Sequence, residues 1–231
     1  MKKQMIKSTI LILAGLLFAG QGFAAITAEQ AARLGKDLTP LGGEKAGNAK
    51  GTIPAWDGGI TAPPAGYEKG MHHPDPYAAD KVLFTITADN ADQYAEQLTA
   101  GQLAMLKAYP SYKMNVYPTH RSASAPQRIY DATKSLAAKA ELAPGGNGVL
   151  GGVNGIPFPI PQNGLEAIWN HILRWRGNAF DRNFGVAPLT RGGSFTMVEF
   201  NEKGDFRYSQ EGMTEEKLEN VIAMFKQEIF A

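Results

Sequence analysis

Ser194–Phe200 reads SFTMVEF, and beyond Asn201-Glu-Lys-Gly204 the chain continues as Asp205–Ser209, DFRYS. Both runs are rich in β-branched and aromatic residues, and the four residues between them have the composition of a turn. The stretch therefore predicts a β-hairpin near the C-terminus. Val82–Thr87 (VLFTIT) and Lys113–Tyr117 carry the same strand signal earlier in the chain. Strands and helices do not alternate regularly, which argues against a doubly wound parallel sheet and for an α+β architecture.

Helix starts are marked by capping residues. Thr27-Ala-Glu-Gln30 is a T-x-x-Q box opening a short helix to about Leu34, and Thr99-Ala-Gly-Gln102 opens a second that Pro110 stops. Ser124-Ala-Pro-Gln127 opens a third, with Ile129, Thr133, Leu136 and Ala140 on one face. Asn163-Gly-Leu-Glu166 opens a fourth, whose Leu165, Ile168, Trp169, Ile172 and Leu173 form a wide apolar stripe up to Gly177. Thr214 caps the last, where Leu218, Val221, Ile222, Phe225 and Ile229 recur at helical spacing.

Two long stretches follow neither period. Residues 39–80 hold Pro40, Pro54, Pro63, Pro64, Pro74 and Pro76 among many glycines, and residues 144–164 read PGGNGVLGGVNGIPFPIPQNG. In the second, Ile156, Phe158 and Ile160 alternate with prolines. Such an apolar edge calls for cover, either laid over a hydrophobic groove or used to bind an apolar partner; a flexible linker is the alternative.

The chain has 231 residues, 44% hydrophobic and 19% charged, with no Cys. That length suits one large domain or two small ones. Lack of Cys excludes disulfides, zinc fingers, iron–sulfur clusters and thiol catalysis. Residues 1–24 read as a signal peptide. Lys2, Lys3 and Lys7 precede the apolar run Ile10–Gly20, and small residues before Ala25 suit cleavage there. A run of about 11 residues is well short of the roughly 20 that span a bilayer. Without those three lysines the balance is 20 basic against 22 acidic residues. That leaves no basic footprint for nucleic acid. A bacterial periplasm is the compartment these features suggest, with the mature chain, residues 25–231, as a single α+β domain.

Chemistry-bearing motifs are sparse. His72-His73-Pro-Asp75 is the most metal-like cluster, yet no third ligand stands at a motif spacing, and a solvated loop accounts for it as well. His120 and His171 are lone histidines. No nucleophile elbow, H-E-x-x-H helix, P-loop or dinucleotide fingerprint occurs, so neither catalysis nor a cofactor is indicated. Arg174-Trp175-Arg176 closes the tryptophan-bearing helix, where cations suit the C-terminal carbonyls. Aromatic and apolar residues without catalytic groups fit either a pocket for an apolar ligand or plain core.

Several irregular motifs resemble domain-of-unknown-function family 1329. They are Leu34-Gly-Lys-Asp-Leu-Thr-Pro-Leu-Gly42, Ile53-Pro-Ala-Trp56, His72-His73-Pro-Asp-Pro76, Val116-Tyr-Pro-Thr-His-Arg121, and Gly155-Ile-Pro-Phe-Pro-Ile-Pro161 through Asn163–His171. The resemblance covers nearly the whole mature chain. It implies a secreted protein of a Gram-negative bacterium, of the kind called outer membrane lipoprotein-sorting proteins. The implied fold is similar to the lipoprotein carriers LolA and LolB, a curved antiparallel sheet packed on helices around an apolar cavity. It also implies a chain matching only the N-terminal half of such proteins, so that the sheet is incomplete, and an accessory role beside an exporter of the resistance–nodulation–division class.

The functional expectation is a non-enzymatic periplasmic carrier for a lipid, lipoprotein or other apolar ligand, with peripheral contact to a membrane. Phe158, Ile160, Trp169 and Ile172 are its candidate ligand-binding residues. The alternative is a docking protein at the outer membrane or an exporter. A third reading is a metal-assisted hydrolase using His72, His73 and Asp75.

Overall fold

A computed structural model describes residues 26–230; the signal-peptide reading of residues 1–24 lies outside the described residues. The chain forms two compact units, Glu44–Ser124 and a second made of residues 26–43 and 125–230. Mixed helices and small antiparallel sheets give an α+β fold, and among the described residues no sheet closes into a barrel. Among the described residues no helix is long and apolar enough to cross a membrane.

In the Glu44–Ser124 unit, strand β1 (Phe84–Ile86) pairs antiparallel with β2 (Met114–Val116), as the strand signals predict. Helix α2 (Ala100–Ala108) carries the Thr99–Gln102 capping box in full: the Thr99 hydroxyl accepts the Gln102 amide, and the Gln102 side chain accepts the Thr99 amide. Ile86, Ala91 and Leu106 form the core, with Tyr94, Leu103, Tyr112 and Met114 packed on it. The proline-rich stretch is held by Arg121, whose guanidinium donates to the carbonyls of Glu44, Lys45, Ala46 and Pro54. One fork thus serves four carbonyls of an irregular segment.

The other unit begins with α1 (Ala28–Ala31), capped by the Thr27–Gln30 box. Helix α3 (Gln127–Leu136) starts without its expected cap. Pro126 stands at the N-cap, and the Ser124 hydroxyl instead donates to the Ile60 carbonyl within its own unit. Ile129 and Thr133 are buried as the periodicity predicts. A small hairpin of β3 (Glu141–Leu142) and β4 (Val149–Leu150) follows, then α4 (Gly164–Ile172). Asn163 caps α4 as expected. The predicted apolar stripe is buried only along part of its width: Leu173 is buried with Trp169 and Ile172 packed against it, whereas Leu165 and Ile168 are exposed and Glu166 is buried. The Glu166 carboxylate turns back onto the Gln162 amide (2.6 Å) and the Asn163 side chain (2.9 Å), so the buried acid is satisfied by the helix end.

The C-terminal region departs most from expectation. Its sheet has three antiparallel strands in the order β5 (Ala179–Val186), β6 (Val198–Asp205), β7 (Met224–Phe230). Asn201–Gly204, read as a turn, lies inside β6. A Cβ at Gly204 would collide with the Phe180 ring, so the glycine marks a close approach rather than a chain reversal. Residues 207–209, read as a return strand, form a 3₁₀ turn. Thr214 does cap a helix, but α5 (Glu215–Leu218) is one turn long and ends in Glu219 and Asn220 at φ 52° and 62°. Beyond that left-handed pair the chain becomes β7, in place of the expected continuous helix. MFKQEIF has no clean alternation, but its two Phe and one Ile suit a strand once β6 offers it a partner.

Candidate functional site

Alternation in the three-stranded sheet sorts its side chains onto two faces. One carries Phe180, Phe184 and Val186 from β5, Val198 and Phe200 from β6, and Phe225 and Ile229 from β7, aligned by register. The other carries Asp181, Asn183, Glu199, Asn201, Lys203, Lys226 and Glu228, with Met224 and Phe230 at its two ends. The sheet is therefore amphipathic.

The apolar face has two ends. At one, Phe180 and Phe225 meet Phe206, with centroids 5.5 and 6.0 Å from it, and this joins the core of Leu173, Phe206 and Tyr208. Arg176 lies over Phe206, its guanidinium carbon 4.2 Å from the centroid. In the middle stands Arg182, paired with Glu202 at 2.8 Å and lying over both Phe180 and Phe184. At the other end Phe184 stacks on Phe200 with centroids 5.0 Å apart and planes 11° apart. Ile229 beside them is 62% exposed, and Val186 is exposed too. The connection from β5 to β6 adds exposed Leu189, Phe195 and Met197.

On the opposite face the same end of the sheet holds an open concavity of about 470 Å³, lined by Asn183, Phe184, Gly185, Met197, Glu199, Phe200 and Phe230. Gly185, Glu199 and Phe230 stand level across the three strands, and the Met197 thioether lies over Gly185. Its wall mixes phenylalanine rings and the Met197 thioether with the Asn183 amide and the Glu199 carboxylate.

On the polar face Asn201 donates to Asp181 and Asn183, both at 2.9 Å, and Lys203 pairs with Asp181 at 3.1 Å. The Asn201 hydrogen bond, and then Lys203, hold the Asp181 carboxyl below its ordinary pKa. Hydrogen bonding to Lys226 does the same for Glu228.

The four residues chosen from sequence lie elsewhere and are not all together. Phe158 is buried, its backbone amide and carbonyl bracketed by the Asn170 side chain at 3.0 and 2.6 Å. Ile160 packs on Ile26, Leu34 and Ala137. Trp169 and Ile172 do meet, around Leu173, Phe206 and Tyr208, and the Trp169 indole donates to the Gly146 carbonyl. None of the four lines the concavity. The apolar edge at 156–160 is laid into the interior, which is one of the two covers its sequence called for. The residues that do line the free end were missed because β5 was not foreseen. Its signal was the alternation of Phe180, Phe184 and Val186, interrupted by Arg182.

His72, His73 and Asp75 are exposed; His73 sits edge-on to Tyr67, and the Asp75 carboxylate accepts the Tyr77 amide. Among the described residues no three His, Asp or Glu side chains gather as a metal site. Arg174 donates to the His171 carbonyl at 2.6 Å, the helix-end role its position suggested.

Comparison with known proteins agrees with the motifs. The family described as "Protein of unknown function (DUF1329)" matches residues 85–231. A curated relative, "Uncharacterized protein PA3922" of Pseudomonas aeruginosa, is 48% identical over 221 residues, covering 95% of this chain and 49% of its own length. The chain thus spans about half the length of that relative. No solved structure matches. On the family match and that identity, the chain belongs to DUF1329, a family of proteins of unknown function.

Proposed function

We propose that this protein is a non-catalytic periplasmic carrier for an apolar molecule, a lipid acyl chain or the acylated end of a lipoprotein. The carrying observation is the free end of the sheet's apolar face, where Phe184 stacks on Phe200 and Val186 and Ile229 beside them are exposed. An antiparallel sheet with one apolar face is also what a LolA- or LolB-like carrier uses, and this supports that finer likeness. Each methylene laid on such a surface contributes about 0.8 kcal/mol, so an acyl chain binds without any charged anchor. Neither a catalytic step nor an energy source enters the reading; transfer runs down a gradient of affinity.

The test is titration of the purified protein with a fluorescent fatty acid, alongside native mass spectrometry of protein taken from a periplasmic extract. Val186→Asp places a charge on the apolar face at an exposed site and is expected to weaken binding at least tenfold with the circular dichroism spectrum unchanged. Binding that ignores Val186→Asp, or no binding at all, sinks the carrier reading. In the second case, co-purification with an exporter or an outer-membrane component would favour the docking alternative.

A further inference from the structure

The outer edge of β7 is a second feature of the sheet, independent of any ligand on its apolar face. Among the described residues β7 is hydrogen-bonded to β6 on one side only, and all seven of its residues are exposed. A long, apolar, unpaired edge is a template for another strand. Its sequence says which strand fits.

Met224-Phe-Lys-Gln-Glu-Ile-Phe230 is self-complementary about Gln227. Lys226 and Glu228 flank the centre, Phe225 and Ile229 come next, and Met224 and Phe230 close the ends. We propose that two copies of this chain pair their β7 strands antiparallel about a twofold axis through Gln227, joining two three-stranded sheets into one of six.

In that register Lys226 of each copy faces Glu228 of the other, Phe225 faces Ile229, and Met224 faces Phe230. Opposite charges and apolar pairs directly across an antiparallel ladder are favourable, and each contact occurs twice, as an isologous interface requires. Neighbouring registers are worse. A slip of two residues one way sets Glu228 against Glu228, and the other way Lys226 against Lys226. A slip of one residue turns the charged face of one sheet toward the apolar face of the other. An axis normal to the sheet keeps both apolar faces on the same side, so the row Phe184, Phe200, Ile229 would continue into Phe225 of the second copy. Within one chain Lys226 and Glu228 already lie 2.6 Å apart on the polar face, ready to exchange partners.

Absence of Cys makes the experiment clean. Facing Cα atoms of an antiparallel pair lie about 4.5–5.5 Å apart, within disulfide reach. Gln227→Cys is therefore expected to give a disulfide-linked dimer on mild oxidation, and Lys203→Cys, exposed on the neighbouring strand, to stay uncrosslinked. By sedimentation equilibrium the unmodified protein should have twice the chain mass. Lys226→Glu alone or Glu228→Lys alone should halve that mass, and the double reversal Lys226→Glu/Glu228→Lys should restore it. A protein that sediments as one chain, a dimer that survives the single reversals, or equal crosslinking at 203 and 227 would overturn the proposal.

Discussion

The Tyr77 ring lies flat on the imidazole of His120, with centroids 3.6 Å apart and planes 7° apart, while the same imidazole places its Nε2 2.6 Å from Asp80 Oδ2. One histidine thus pins two parts of an irregular segment by two different forces. His120→Phe keeps a flat ring for Tyr77 and loses the carboxylate bond, at a cost of about 1 kcal/mol. His120→Ala loses both and should cost roughly 0.5–1.5 kcal/mol more. Urea unfolding of the two variants separates the contributions; equal midpoints would mean that the stack contributes nothing.

Thr133 is fully buried, its hydroxyl donating to the Ile129 carbonyl at 2.7 Å and accepting the Ile156 amide at 3.0 Å. Thr133→Val preserves shape but orphans that buried amide, for an expected loss of about 1–3 kcal/mol, whereas Thr133→Ser keeps both bonds. Gly155→Ala tests the same contact from the other side. Its Cβ would lie 2.6 Å from the Thr133 backbone nitrogen, on a helix that has little room to move. Overpacking of that kind costs roughly 1–3 kcal/mol. Thermal unfolding of the three variants should rank Thr133→Ser as the mildest.

Asp181, like Glu228, is a carboxyl whose titration the polar face controls. Its pKa is held down first by the Asn201 hydrogen bond and then by Lys203. A carboxyl lowered in the folded state adds stability that is complete above the ordinary carboxylate pKa of about 4 and is lost as pH falls through the folded value. Asn201→Ala should raise the Asp181 pKa. The stability gap between it and the unmodified protein should be widest near neutral pH and close as the solution becomes acid. An NMR titration of the Asp181 carboxyl checks the first statement, and unfolding curves at two pH values check the second.

Local signals were legible wherever a short-range rule acts alone. The capping boxes at Thr27 and Thr99, the caps at Asn163 and Thr214, and the β1 and β2 strands all stand where composition puts them. Where a partner distant in sequence decides, the reading failed. Gly204 looks like a turn until Phe180 is laid over it. Phe225 and Ile229 fit a helix until β6 is beside them. Arg182 hid β5 by breaking an apolar alternation, because nothing local tells that Glu202 neutralises it and that two phenylalanines accept it. The candidate site lies on those three strands, so it was hidden with them.

The segment Ile156–Pro159 is interior chain with neither helix nor strand. Backbone without regular structure is ordinarily kept at the surface, since each residue brings a donor that the interior must satisfy. Here every second residue is a proline and brings none. The two donors that remain, the amides of Ile156 and Phe158, are each met by one side chain, Thr133 and Asn170. Alternation with proline halves the demand for partners and lets a strap of irregular chain serve as core. Lack of periodicity therefore has two meanings in this protein: residues 39–80 are largely surface, and this strap is core.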